Sequence, residues 1–202
     1  MPTLRTTNRD AYALVRKQGL IRPNALEEIG IPRANAARWA SEGLLVRVAR
    51  GLYALPDRDF GEHETLVQVA RRVPEGIVCL LSALRFHELT TQNPSEVWLG
   101  IDRKARKPNL QWPLLHVVWW SEVALSEGIV TINVAGGAIR ITSPARTVAD
   151  CSKYRNKIGL DVAIEALRDY RRKKKGSLDE LHRMTKVCRV DRVIRPYLEA
   201  MT

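Results

Sequence analysis

No stretch of the 202-residue chain approaches the roughly 18 consecutive apolar residues of a transmembrane helix, so no membrane span or membrane partner is expected. The opening run MPTLRTTNRDAY has no apolar signal core, and a cytoplasmic protein is expected. Cysteines number three: Cys79, Cys151 and Cys188 stand far apart in the sequence, Cys79 and Cys188 beside apolar residues. There is no CxxC pair or Cys/His cluster, which argues against structural zinc and fits reduced thiols. Catalytic signatures are missing as well: no GxSxG, HExxH, Walker loop or GxGxxG. The four histidines, His63, His87, His116 and His182, are dispersed without ligand spacing. No internal repeat or low-complexity segment occurs. No enzyme, metal or cofactor is therefore expected. One enzyme signal survives, Asp102-Arg103-Lys104 at the end of an expected strand. Such a set can serve a magnesium-dependent nuclease, the carboxylate holding metal and the lysine polarising water. It needs a second metal-binding carboxylate on a neighbouring strand, and none stands out.

What the chain has in excess is positive charge. It carries 33 Lys or Arg against 22 Asp or Glu, a formal +11. That balance favours association with polyanions. Residues 1–60 hold ten basic against six acidic residues, and residues 61–202 hold 23 against 16. Both parts are basic. Arginine dominates the first, which suits forked contacts to phosphates and bases.

The stretch from Arg22 to Leu55 organises the reading. Ahead of it, residues 8–18 read as a helix, with Asn8 as cap, Ala11, Leu14 and Val15 as an apolar stripe and Gly19 as the stop. Pro23 opens a second helix over about 23–29, with Leu26 and Ile29 on one face. Gly30 makes a turn, and Pro32 opens a third helix to about Ala40. Ala36, Trp39 and Ala40 share its inner face. Arg33, Ala34, Ala37 and Arg38 share the outer one, with Asn35 at the edge. Small residues among Arg and Asn let a helix lie in a major groove and reach base edges. Val46, Val48, Leu52 and Tyr53 then alternate around a Gly51 corner, a hairpin or wing that presents Arg47 and Arg50. A winged helix-turn-helix is expected over residues 1–57. Its candidate DNA contacts are Arg22, Arg33, Asn35, Arg38, Arg47 and Arg50.

Pro56 to Gly61 reads as a linker, and a second domain is expected over 61–202. Residues 62–73 read as a helix with Leu66, Val69 and Ala70 inward. Ile77–Leu89 reads as an apolar helix, with His87 near its C-terminal end for packing or the helix dipole. Strands are expected at 96–101 and 115–120, separated by a basic loop holding Arg103, Lys104, Arg106 and Lys107. A hairpin is expected over 129–134 and 138–141. Trp98, Trp112, Trp119 and Trp120 are expected to cover the sheet by core and rim packing, with a base-stacking platform as the alternative. Ser143-Pro144 starts a helix on which Arg146 and Asp150 can pair. The helix at 160–170 runs into Arg171, Arg172, Lys173, Lys174 and Lys175, either a solvated helix end or a second phosphate patch. Ser177 caps a helix to about Thr185, and a last helix covers 191–200. The fold class expected is α+β: the winged head, then a mixed α/β domain with a small, mostly antiparallel sheet and a helical C-terminus.

Several runs resemble one family. RVARGLYALP at 47–56, LLSALRFHELT at 80–90, ITSPARTVADC at 141–151 and GLDVAIEALRDY at 159–170 are similar to AbiEi-type antitoxins of type IV toxin–antitoxin, abortive-infection systems. Ala36 stands where that family often has a larger apolar residue. The resemblance implies a repressor of phage-defence operons that binds inverted repeats in double-stranded DNA upstream of its own operon. It also implies an antitoxin that counteracts a nucleotidyltransferase-like toxin without a tight complex. The family's DNA-facing role falls on Arg33, Asn35, Arg38, Arg47 and Arg50, and its antitoxic role on the second domain. The alternatives from other classes are a magnesium-dependent nuclease with a DNA-binding head, and a ligand-responsive regulator.

Overall fold

The computed structural model describes residues 3–56, 63–110 and 113–201. The Asn8 side chain expected as a cap, the 57–61 linker and Trp112 lie outside what is described. The chain forms two compact units, Met1–Arg72 with Asn133–Ala138, and Val73–Ile132 with Ile139–Thr202.

The first unit begins with α1 (Thr3–Gln18), which stops at Gly19 where φ turns to +72°. Ala11 and Val15 are buried, one turn apart, and Leu14 packs beside them. In α2 (Pro23–Glu27) Leu26 is fully buried. The expected partner Ile29 is 40% exposed, because the helix ends early and Gly30 (φ +76°) turns the chain. Ile31 takes its place in the core, with its N–H on the Leu26 carbonyl at 2.9 Å. α3 (Ala34–Ser41) starts two residues after Pro32. It ends on Gly43, past which Leu44 donates to the Trp39 carbonyl at 2.9 Å. β1 (Val46–Ala49) and β2 (Leu52–Ala54) form an antiparallel pair with an irregularity between Arg47 and Ala49. Ile21 and Tyr53 exchange two backbone bonds of 2.9 and 3.0 Å, which fastens the link before α2 to the hairpin. α4 (Glu64–Arg72) also belongs to this unit. It buries Val67 and Val69, whereas Leu66 and Ala70 are only half-buried.

The second unit holds most of a five-stranded sheet of order β5-β4-β3-β7-β6. Its strands are β3 (Ile77–Val78), β4 (Val97–Asp102), β5 (Leu115–Trp120), β6 (Ile129–Val134) and β7 (Gly137–Thr142). It is mixed, which corrects the mostly antiparallel expectation. β3 runs antiparallel to β4 but parallel to β7, and β4 runs parallel to β5 along all six residues. The long 103–114 connection permits this, since a parallel pair needs a crossover of a dozen residues or so. The apolar run 77–89 is likewise not one helix. Ile77 and Val78 are buried β-branched residues in the middle of the sheet, and only Leu80–Phe86 forms α5.

The helices α6 (Glu122–Ser126), α7 (Pro144–Lys153), α8 (Arg155–Ile158), α9 (Leu160–Arg172), α10 (Leu178–Cys188) and α11 (Asp191–Glu199) complete the unit. Ser143 caps α7 by accepting from the Arg146 N–H, and Ser177 caps α10 by accepting from the Glu180 N–H. α7 is almost wholly buried, including Arg146 and Asp150. Arg146 Nε donates to Asp150 Oδ2 at 2.9 Å, and its other nitrogens donate to the carbonyls of Glu127 and Ala124. The guanidinium lies 5.3 Å from the Trp120 ring centre. Cys188 Sγ donates to Asp150 Oδ1 at 3.2 Å. The pair expected along this helix forms, and it is part of a buried hydrogen-bonded network. Burial lifts the Asp150 carboxyl despite Arg146, and it pushes Cys188 up to about 12. Trp98 and Trp120 join this core, and Trp98 stacks on His116 at 3.7 Å. Gly100 is needed beneath Trp120, whose ring would come within 2.7 Å of any Cβ there. Among the described residues no helix is long and apolar enough to cross a membrane.

Candidate nucleic-acid interface

α3 is amphipathic in a way that decides what it can touch. Ala36 and Trp39 are sunk into the core formed with α1, α2 and the hairpin. Arg33, Ala34, Ala37 and Arg38 are left exposed on the other side, with Asn35 half-buried at the edge. Two methyl-sized residues between two arginines give a low outer surface flanked by long cationic arms. Arg33 rests 3.9 Å from Glu27, and Arg38 rests 3.7 Å from Glu42 one turn on. Both pairs are more than half exposed on average, so either arginine can leave its partner at a cost of about 1 kcal/mol or less.

The hairpin supplies the second part. Leu52, Tyr53, Ala54 and Leu55 are buried, and the corner at Gly51 (φ +69°) leaves Arg47 and Arg50 exposed. Arg22 stands immediately before α2 with extended backbone (φ −96°, ψ 154°). It follows Ile21, which is bonded to the hairpin, so Arg22 is brought to the hairpin side. Arg72, at the end of α4, was not singled out from the sequence. Its guanidinium is held below the usual value by burial first, then by the nearby charges of Arg22 and Arg50. Arg22, Arg50 and Arg72 therefore share one cationic neighbourhood. The basic end of α4, Arg71-Arg72, was the signal available for it. Arg71 ties that end down by donating to the Gln18 carbonyl at 3.1 Å.

The basic run of the second unit is differently disposed. Arg171 donates to the Met201 carbonyl, Arg172 and Lys173 pair with Asp169, and Lys175 pairs with Glu88. Lys173 also donates to the Glu88 carbonyl at 2.6 Å. Four of the five cations are thus engaged with partners inside their own unit, and Lys174 (φ +51°) completes the run. Asp102 spends its carboxylate locally, Oδ1 accepting from the Lys104 N–H at 2.7 Å. Among the described residues no three His, Cys, Asp or Glu side chains converge as a metal site. His87 is buried, with Nε2–H donating to the Thr142 carbonyl at 2.7 Å, and burial holds its ring below the usual value. It packs rather than titrates in an open site.

The first unit thus sets a helix–turn–helix segment with an exposed arginine face beside an arginine-bearing hairpin. Residues 9–56 match the model of a family described as "Transcriptional regulator, AbiEi antitoxin". The resemblance drawn from the sequence thus stands over that segment, about a quarter of the chain. No curated protein matches the chain.

Proposed function

We propose that the chain is a transcriptional repressor and antitoxin that works by binding, not by catalysis. The head is read as a winged helix-turn-helix with α3 as recognition helix and β1–β2 as wing. One head would take each half of an inverted repeat upstream of its own operon. Arg33, Asn35 and Arg38 read base edges, and Arg22, Arg47 and Arg50 hold phosphates. The observation carrying this reading is the split of α3, with Trp39 and Ala36 buried and Arg33, Ala34, Ala37 and Arg38 exposed. The family match over 9–56 supports the same assignment. In the cytoplasm, the second unit would counteract a nucleotidyltransferase-like toxin without a tight complex, as part of a phage-defence system.

Two assays test the two halves. A gel-shift titration on the DNA upstream of the gene should give a complex that survives non-specific competitor. Failure to select that DNA over competitor overturns the repressor half. Co-expression with a nucleotidyltransferase-like toxin gene, sought beside this one, should restore growth. Unrelieved toxicity overturns the antitoxin half.

A further inference from the structure

The second unit carries a surface that operator reading does not use. Trp119 is 48% exposed, whereas its neighbours Val118 and Trp120 are buried. It lies on β5, an edge strand of the sheet, one residue before that strand ends. The ring is nevertheless held, its Nε1–H donating to the Ala105 carbonyl at 3.3 Å. Ala105 belongs to the β4–β5 loop. That loop is fixed where it leaves β4, with the Lys104 N–H on Asp102 Oδ1 and the Ala105 N–H on the Asp102 carbonyl at 2.9 Å. From the same loop Arg103, Lys104, Arg106 and Lys107 are all exposed. Asp102, at the root of the loop, is the one carboxylate in the sequence from Asp102 through Trp120 to set against these four cations. A pinned, exposed indole is therefore bonded to the turn at Ala105, which is flanked in sequence by four exposed cations between residues 103 and 107.

We infer that Trp119 and the β4–β5 loop form a binding surface for single-stranded nucleic acid. The four cations would track phosphates and the indole would stack on a base. Each element answers a different part of such a strand. Charge alone serves any polyanion, but a ring held at a charged rim suits a base face. In a duplex those faces are already stacked, which is why the single strand is preferred. The inference does not rest on the operator reading, because none of these residues belongs to the head.

The test uses the full chain with Arg22, Arg33, Asn35, Arg38, Arg47 and Arg50 replaced by alanine, so that every candidate contact of the head is removed. Anisotropy is measured on labelled single-stranded RNA and DNA of one sequence, about 12 nucleotides long. The matching duplex and anionic phospholipid vesicles serve as competitors. Single strands should bind more tightly than either competitor, and the RNA and DNA arms identify the favoured sugar. Trp119→Ala should weaken binding about tenfold, and Trp119→Phe should retain most of it. Arg106→Ser with Lys107→Ser, at exposed positions that leave the core untouched, should lower the salt slope by roughly 0.7 for each phosphate no longer neutralised. Absent single-strand binding, preference for duplex or vesicles, or unchanged affinity in both Trp119→Ala and the serine double variant would overturn the inference.

Discussion

Arg38 and Arg50 are both exposed in the head, yet they should fail differently when removed. Arg38 projects from the outer face of α3. Arg38→Ala should weaken operator binding by about 1–3 kcal/mol while leaving non-specific DNA binding nearly intact. Arg50 sits at the hairpin corner within the charge field of Arg22 and Arg72. Arg50→Ala should weaken all sequences alike and reduce the salt slope by roughly 0.9 for each phosphate the arginine had neutralised. Parallel titrations on operator and scrambled duplex over a salt series separate the two, and a sequence-selective loss at Arg50 would contradict its phosphate role. Other residue-scale effects belong to stability. Arg146→Met strands a buried Asp150 and should cost about 3–5 kcal/mol in urea unfolding, whereas the paired change with Asp150→Leu should cost less. His87 gives a pH signature. Burial lowers its folded pKa below that of the unfolded chain, so the unfolded state takes the proton first. Its contribution is whole above about pH 6.5 and is lost as pH falls through the folded value. His87→Gln should flatten the stability profile between about pH 7 and pH 5, and an equally steep profile in the variant would contradict this.

At the scale of elements, the head depends on Trp39 more than on any hydrogen bond. It is the large plug between α1, α3 and the hairpin, and 4% of it remains exposed. Trp39→Ala should cost about 3–5 kcal/mol and loosen α3 and the hairpin together, visible as lost amide protection in both. Gly30→Ala should cost about 1 kcal/mol or more at φ +76°, although a Cβ there would meet open space. These elements were legible because their signals are local. The Ala11–Val15 stripe, Pro23 at the first position of α2, Gly30 and Gly51 at corners and the buried–exposed split of α3 are all set within a few residues. The second unit was legible only in part. Ile77-Val78 is a two-residue strand inside an apolar run, and only pairing with Leu99–Gly100 and Ile141 makes it one. The parallel register of β4 with β5 depends on a long connection, not on the strands' own pattern. α6 and α8, five and four residues long, are too short for any period to show. The Arg146–Asp150 pair was legible as a spacing. Its burial was not, because it depends on Trp120, Cys188 and two carbonyls from distant segments.

For the whole molecule, the +11 charge is divided by use. In the first unit Arg33, Arg38, Arg47 and Arg50 stand outward, the first two against the exposed carboxylates of Glu27 and Glu42. In the second, the Arg171–Lys175 run is largely tied to Asp169, Glu88 and Met201, so its share of the charge stabilises the fold. The β4–β5 loop adds Arg103, Lys104, Arg106 and Lys107 as outward-facing cations there. The central claim is sequence-selective reading of DNA by α3, and one measurement tests it most directly. The chain is titrated against the inverted repeat proposed upstream of its gene and a scrambled duplex at one fixed salt concentration, alongside a variant with Arg33, Asn35 and Arg38 all changed to alanine. The expected result is a preference of about a thousandfold or more for the repeat, collapsing toward unity in the variant while weak non-specific binding persists. Equal affinity of the unaltered protein for both duplexes, or undiminished preference in the variant, would contradict it.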